Sequence, residues 1–419
     1  MAVATARARR SLAVAAVLVA LACGSSGERT GPIRVGVLHS LSGTMAISEK
    51  AVVDAVLMAV DEINREGGVL GRPLEAVVVD GRSDAEVFAG EAERLIVEEK
   101  VDVVFGCWTS ASRRSVRPIF EEHDHLLFYP VQYEGLESSL NVVYTGETPN
   151  QQIVPALRWS LSNGSRRFFL VGSDYVFPHA ANAIIREYLA QWRGEVVGEA
   201  YVALGSSDVE AVVKQIAEAR PDVILNTING DTNLAFYRAL RAAGIGSEQV
   251  PTIAFSVAET ELLALDPALL EGDYTVRSYF QSLESAANQR FVRAFRSRYG
   301  SDRVTSAPLE AAYLGVYLWS RAAEKAGATA PASVRAAVRG MTILAPEGAV
   351  YVDANQHLWR FPALGRVRGD GQIEVVWVSR APVRPEPYPP QRSAEAWDRF
   401  LLGLYEGWGG RWVAPVGPR

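Results

Sequence analysis

The feature that most limits what this chain can fold into is a regular alternation of short apolar runs with longer amphipathic ones. Ile33-Arg34-Val35-Gly36-Val37-Leu38 alternates like a strand that opens a sheet. Over 51–65, Val53, Val56, Leu57, Val60 and Ile63 share one helical face, and Gly67-Gly68 supplies the left-handed stop that a helix favours. The pattern continues with a strand at 74–79, a helix at 85–99, a buried strand at 101–105, a helix starting near Thr109 and a strand at 126–129. Strands and helices that alternate at these lengths imply a parallel sheet built from right-handed βαβ units.

The same rhythm restarts after Gly146-Glu147-Thr148-Pro149. Helices are predicted at 150–161, 180–192, 208–219 and 233–243, with strands at 168–172, 196–201, 223–227 and 252–256 between and after them. Longer helical patterns return at 286–299, 309–326 and 331–339. A β-rich end follows at 349–353, 359–367 and 373–378, with Gly369-Asp370-Gly371 as the hairpin signal before the last strand. At 419 residues the chain exceeds what one core ordinarily serves, so two α/β lobes are expected. Beyond Ser379 it turns proline-rich, and a short amphipathic helix is predicted at 394–405 in a tail that wraps the surface.

The N-terminus sets the expected compartment. Arg7, Arg9 and Arg10 precede an almost wholly apolar run, and the small residue Ala22 stands directly before Cys23. This reads as an export signal at 1–22, too short to span a bilayer permanently. The position of Cys23 resembles a bacterial lipoprotein cleavage site, with 23–31 as anchor and polar tether. The only other cysteine, Cys107, is then unpaired, so no disulfide framework supports the fold. A net charge of −6, with no basic run beyond the leader, argues against nucleic acid as a partner.

Enzymatic readings find little support. Cys107 ends an apolar strand with no recognisable base beside it and reads as a small buried hydrophobe. His123-Asp124-His125 is a poor chelating pattern that reads as solvated loop, and no phosphate-binding glycine loop is present. No cofactor or metal is expected.

From Gly106-Cys107-Trp108-Thr109-Ser110-Ala111-Ser112-Arg113 onward the sequence becomes specific. Together with His39-Ser40-Leu41-Ser42-Gly43-Thr44-Met45, Tyr129-Pro130-Val131-Gln132-Tyr133-Glu134-Gly135, Gly172-Ser173-Asp174-Tyr175-Val176-Phe177-Pro178 and Asn229-Gly230-Asp231-Thr232-Asn233, it resembles the type I periplasmic solute-binding proteins of the branched-chain amino acid and amide group. Their urea-binding branch is the nearest likeness. The resemblance implies two lobes joined by about three crossovers, with the ligand in the cleft. Lobe 1 would hold 32–147 and 256–341, lobe 2 would hold 148–255 and 342–378, and the tail 379–419. It also implies delivery of the ligand to the permease of an ABC transporter. Short aliphatic amides, for transport or for regulator-like sensing, are the alternative ligands, followed by branched-chain amino acids.

Urea is planar and uncharged, with four N–H donors and one carbonyl acceptor. Its site needs donors for the oxygen, acceptors for the N–H groups, flat walls and no unpaired charge. Thr109 and Ser110 lie where a buried strand meets a helix start, so their N–H groups and the Ser110 hydroxyl suit an oxygen, although capping the helix is the simpler role. By the resemblance, Trp108, Tyr129 and Tyr175 supply the walls, with tryptophan at 108 favouring the smaller ligand. Asp174 and Asn229 are acceptor candidates from lobe 2, and Glu259 another. Ser42, Gln132, Gln152, Asp231 and Tyr279 are weaker candidates. For Asp231 and Glu134 a loop-building role is the better reading.

Overall fold

The computed structural model describes residues 31–415, so the export signal and the acylation of Cys23 lie outside the described residues. The chain runs β1 (Ile33–His39), α1 (Ala46–Arg65), β2 (Leu74–Asp80), α2 (Ala85–Val97), β3 (Val103–Gly106), α3 (Ser110–Glu122), β4 (Leu127–Tyr129), β5 (Val142–Tyr144), α4 (Pro149–Ser162), β6 (Arg167–Ser173) and α5 (Val176–Trp192). It continues through β7 (Glu195–Val202), α6 (Glu210–Ala219), β8 (Val223–Thr227), α7 (Thr232–Ala242), β9 (Thr252–Ala254), α8 (Glu259–Leu265), β10 (Tyr274–Arg277), α9 (Ala286–Tyr299) and α10 (Ala307–Ala326). The last elements are α11 (Pro331–Val338), β11 (Thr342–Ala345), β12 (Gly348–Val352), β13 (Leu358–Trp359), β14 (Ala363–Val367), β15 (Ile373–Val378) and α12 (Ala394–Gly407).

Lobe 1 is built on a five-stranded parallel sheet in the order β2-β1-β3-β4-β5. The inner strand β1 buries Ile33, Val35, Val37 and Leu38 completely, as a strand covered by helices on both faces must. Lobe 2 has seven strands ordered β15-β14-β10-β9-β8-β6-β7; β14 and β15 run antiparallel at one edge. A small antiparallel sheet, β11-β12-β13, buries Ile343, Val350 and Leu358 in the core of lobe 1.

Two expected lobe boundaries need correction. The second crossover falls after Arg277, not near Ser256, because β10 pairs in parallel with β9 and so extends the lobe 2 sheet. The third falls at Arg360, not at residue 342, because β11, β12 and β13 pack with lobe 1 and only β14 returns to lobe 2. The apolar run 359–367 is therefore broken into two strands by a crossover. Arg360 holds that point: fully buried, it donates to the carbonyl of Thr145 in the first crossover and to Glu347 at 2.6 Å. The Ser278 N–H donates to Glu147 at 2.8 Å, tying the second crossover to the first.

The strand orders locate the cleft. In lobe 1 the order reverses between β1 and β3, and in lobe 2 between β6 and β8. Ligands in open α/β sheets bind beyond the carboxyl ends of strands at such reversals. The segments leaving these four strands carry Ser40 to Thr44, Cys107 to Ser110, Asp174 with Tyr175, and Asn229 with Asp231. The two reversals meet: the Thr44 hydroxyl of lobe 1 donates to the Asp231 carboxylate of lobe 2.

Candidate functional site

The loop after β3 is tightly made. A side chain at Gly106 would meet the Leu38 carbonyl at 2.3 Å, so only glycine lets β1 and β3 approach there. Cys107 then takes a left-handed φ of 66° while its N–H still bonds Leu38 O at 2.9 Å. A non-glycine residue in this region is strained and persists where surrounding structure enforces it. The turn delivers Trp108, 2% exposed, to the head of α3, and Thr109 caps that helix by accepting the Ser112 N–H at 3.0 Å. Thr109 therefore has the capping role, and it also lines a cavity of about 20 Å³ between the lobes with Ser40, Ser83 and Leu204. Burial, with the Glu49 carboxylate adding to it, pushes the Cys107 thiol far above its ordinary range, so it is no nucleophile.

Behind the loop lies a charge network that sequence reasoning missed. Arg113 is wholly buried and donates to Glu137 at 3.0 Å, to Ser110 Oγ at 3.0 Å and to Glu134 at 3.1 Å. Its guanidinium lies 4.9 Å from the Tyr129 ring centre and 4.5 Å from that of Tyr133. Ser110 Oγ in turn donates to Glu134, so this hydroxyl is fixed by the network. Arg114 reaches Glu134 at 2.9 Å. Burial tends to raise the Glu137 carboxyl, but the guanidinium groups of Arg113, Arg114 and Arg117 outweigh it and hold the group at about 2. The one sequence signal was the Arg113-Arg114 pair directly after Ser110-Ala111-Ser112 at the head of a helix, which a single sequence cannot match to its partners.

Tyr129 is fully buried and donates to the Trp108 carbonyl at 2.6 Å. Tyr175 is likewise buried, at the N-cap of α5, and packs in one cluster with Ala111 of lobe 1. Trp108, Thr109, Ser110, Tyr129 and Tyr175 are thus gathered at one place. Trp108 Nε1 is buried and has no hydrogen-bond partner in the protein.

The expected acceptors fare differently. Asp174, next to Tyr175 in the chain, is engaged by His179 at 2.8 Å and lines a cavity of about 470 Å³ with Glu199 and Tyr201. Asn229 donates its amide to Thr227 O at 3.1 Å and its main-chain N–H to Ser173 Oγ at 3.0 Å, which builds the loop. Asp231 makes the cross-lobe bond to Thr44. Ser42 Oγ donates to Asp80 at 2.7 Å, within its own lobe. Tyr279 bonds Asn288 and Thr305, each at 2.7 Å, and holds the second crossover.

Gln132 and Gln152 converge on one carbonyl, that of Phe255, at 2.9 and 3.0 Å. Gln132 belongs to lobe 1, so it bridges the lobes, and its Oε1 is buried without a protein partner; so is Ser256 Oγ, next along the chain from Phe255. Glu259 accepts the Gln281 N–H at 2.7 Å through one oxygen, while the other has no protein partner. Burial pushes this carboxyl up to about 7. Arg277, also missed from sequence, donates one nitrogen to Phe255 O at 2.6 Å and leaves two without protein partners. No group of three or more potential metal ligands occurs among the described residues.

Two α/β lobes, each presenting a strand-order reversal to a shared cleft lined by buried aromatic and polar groups, define a solute-binding architecture. The chain belongs to the family described as "Periplasmic binding protein domain", whose profile matches residues 33–394. Its relatives include "Leu/Ile/Val-binding protein homolog 8" of Brucella suis biovar 1, 24% identical over 410 residues that cover 90% of this chain and 98% of that one. A 32% identity with "Limonene hydroxylase" of Geobacillus stearothermophilus spans 116 residues, only 28% of this chain and 21% of that protein, too small a share to transfer an activity. The fold is shared with a solute binding protein of an ABC transporter from Rhodopseudomonas palustris in complex with p-hydroxybenzoic acid. The TM-score is 0.77 at 24% identity, covering 84% of this chain and 98% of that one. A leucine binding protein from Thermotoga maritima superposes with a TM-score of 0.74 at 20% identity, over 83% and 98% of the two chains. The relatives matched along their whole length are binding proteins, not enzymes, and no helix of the described residues is long and apolar enough to cross a membrane.

Proposed function

We propose that this chain is the substrate-binding component of an ABC transporter, exported and anchored through an acylated Cys23, and that it closes over urea and hands it to the membrane permease. The observation that carries the ligand assignment is the buried, unpartnered indole N–H of Trp108 beside the Tyr129-anchored loop. A donor so placed is costly unless a ligand accepts from it. Gln132 Oε1 and Ser256 Oγ add unpartnered acceptors for N–H groups. The charges nearest the loop, Arg113 and Arg114, are matched by Glu134 and Glu137, which suits a neutral solute.

A second reading rests on Arg277, whose two unpartnered nitrogens favour a carboxylate such as the p-hydroxybenzoic acid held by the Rhodopseudomonas protein. Thermal unfolding with urea, acetamide, leucine or 4-hydroxybenzoate at millimolar concentration separates the two, because a ligand that binds only the folded state raises the melting temperature. A rise with urea or acetamide supports the proposal. A rise with 4-hydroxybenzoate or leucine alone supports the carboxylate reading.

A further inference from the structure

The proline-rich tail does more than cover a surface. Val383 exchanges hydrogen bonds with Arg360 at the third crossover, and its carbonyl accepts from Gln151 at 2.8 Å. Pro387 O then accepts the Leu136 N–H of lobe 1 at 2.8 Å; Gly135, at φ 68°, permits this approach, since a side chain there would sit 2.1 Å from that oxygen. The chain next crosses to lobe 2. Trp397 is fully buried with its indole donating to Pro389 O at 2.9 Å, and α12 packs on α5.

The last described residues return to the cleft. Val176 N–H donates to Trp412 O at 3.0 Å and Ala414 N–H to Asp174 O at 3.1 Å, a short antiparallel bridge across Tyr175 of lobe 2. From lobe 1, the Arg114 guanidinium lies 5.0 Å from the Trp412 ring centre. Between these contacts Val413 lines the interlobe cavity together with Thr109, Ser83 and Leu204.

We infer that residues 408–415 are a strap that holds the lobes closed and walls the ligand cavity, so that solute exchange requires its release. Its main chain is bonded to lobe 2, while Trp412 lies against Arg114 of lobe 1. Opening the cleft must break one of the two attachments. The arginine that faces Trp412 is also held in the network behind the cleft loop, so strap and loop share a partner. The inference rests on cleft closure and stands whether or not urea is the solute.

The test therefore uses ligand-free protein. Small-angle scattering and amide exchange are compared for wild type, Trp412→Ala, Trp412→Phe and Ala414→Pro; the phenylalanine keeps a ring for Arg114, and the proline removes the N–H that bonds Asp174. The expected result is a larger radius of gyration and roughly tenfold faster exchange at the Ser112 amide, inside the cleft of lobe 1, in Trp412→Ala and Ala414→Pro, with Trp412→Phe close to wild type. Scattering and Ser112 exchange unchanged in Ala414→Pro, with its melting retained, would overturn the inference even if Trp412→Ala failed to fold. Loss of urea binding in wild type with these results intact would remove the ligand and leave the strap.

Discussion

The Tyr129 hydroxyl donates a 2.6 Å hydrogen bond to the Trp108 main-chain carbonyl, fastening the end of β4 to the loop that leaves β3. Both residues are buried, so water does not replace the bond when it is lost. Tyr129→Phe leaves that carbonyl without its donor, which costs about 1–3 kcal/mol. The expected outcome is a loss of that size in chemical denaturation, together with a roughly fivefold to tenfold weaker urea affinity by calorimetry as Trp108 loses its fixed position.

Trp108→Phe separates wall from donor. The phenyl ring keeps a flat apolar face, while the unpartnered N–H disappears. Stability falls by roughly 1–3 kcal/mol, because the smaller ring leaves a cavity in the core, partly offset by the loss of a buried unsatisfied donor. Urea affinity falls by about tenfold. Equal affinity in the two proteins would show that the indole nitrogen does not touch the ligand.

Glu137 predicts the acid limb of stability. Its carboxyl is held at about 2 in the folded chain against an ordinary value of 4.5, so its contribution is complete above pH 4.5 and is lost as pH falls towards 2. Glu137→Gln leaves Arg113 short of one buried partner at a cost of about 3–5 kcal/mol near neutrality, and it flattens that acid limb. Denaturant titrations between pH 2 and 7 read both effects.

Glu259 has the opposite sign. Burial raises its carboxyl to about 7, so its favourable contribution is full below pH 4.5 and is lost as pH rises through 7. Glu259→Gln is therefore expected to be less destabilising at pH 8 than at pH 5, by roughly 1–3 kcal/mol. Equal effects at both values, measured by chemical denaturation, would show that the carboxyl keeps its ordinary ionisation in the folded chain.

The repeated strand–helix rhythm was legible because each buried parallel strand is a continuous apolar run and each helix shows a 3.6-residue stripe. The second and third crossovers were not. The strand β10 is only Tyr-Thr-Val-Arg, and it joins lobe 2 through pairing with β9 that no local pattern announces. At the site, Thr109 was readable as a cap because capping is local. The pairing of Asp174 with His179, about one helical turn on, was not read because neither residue announces the other in the sequence. Arg113, Glu134 and Glu137 were illegible as a unit, since charged residues read singly as solvated and become a buried network only when α3 meets the loop after β4. Arg277 was missed for the same reason, and Val413 because it reaches the cleft from the far end of the chain.

The most direct test is a calorimetric titration of the purified, ligand-free protein with urea, run beside leucine and 4-hydroxybenzoate. A urea-binding cleft predicts saturable heat from urea at one site per chain, none from the two carboxylates, and the loss of most of that affinity in Trp108→Phe. Heat from leucine or 4-hydroxybenzoate with none from urea would contradict it and would assign the cleft to the unpartnered nitrogens of Arg277.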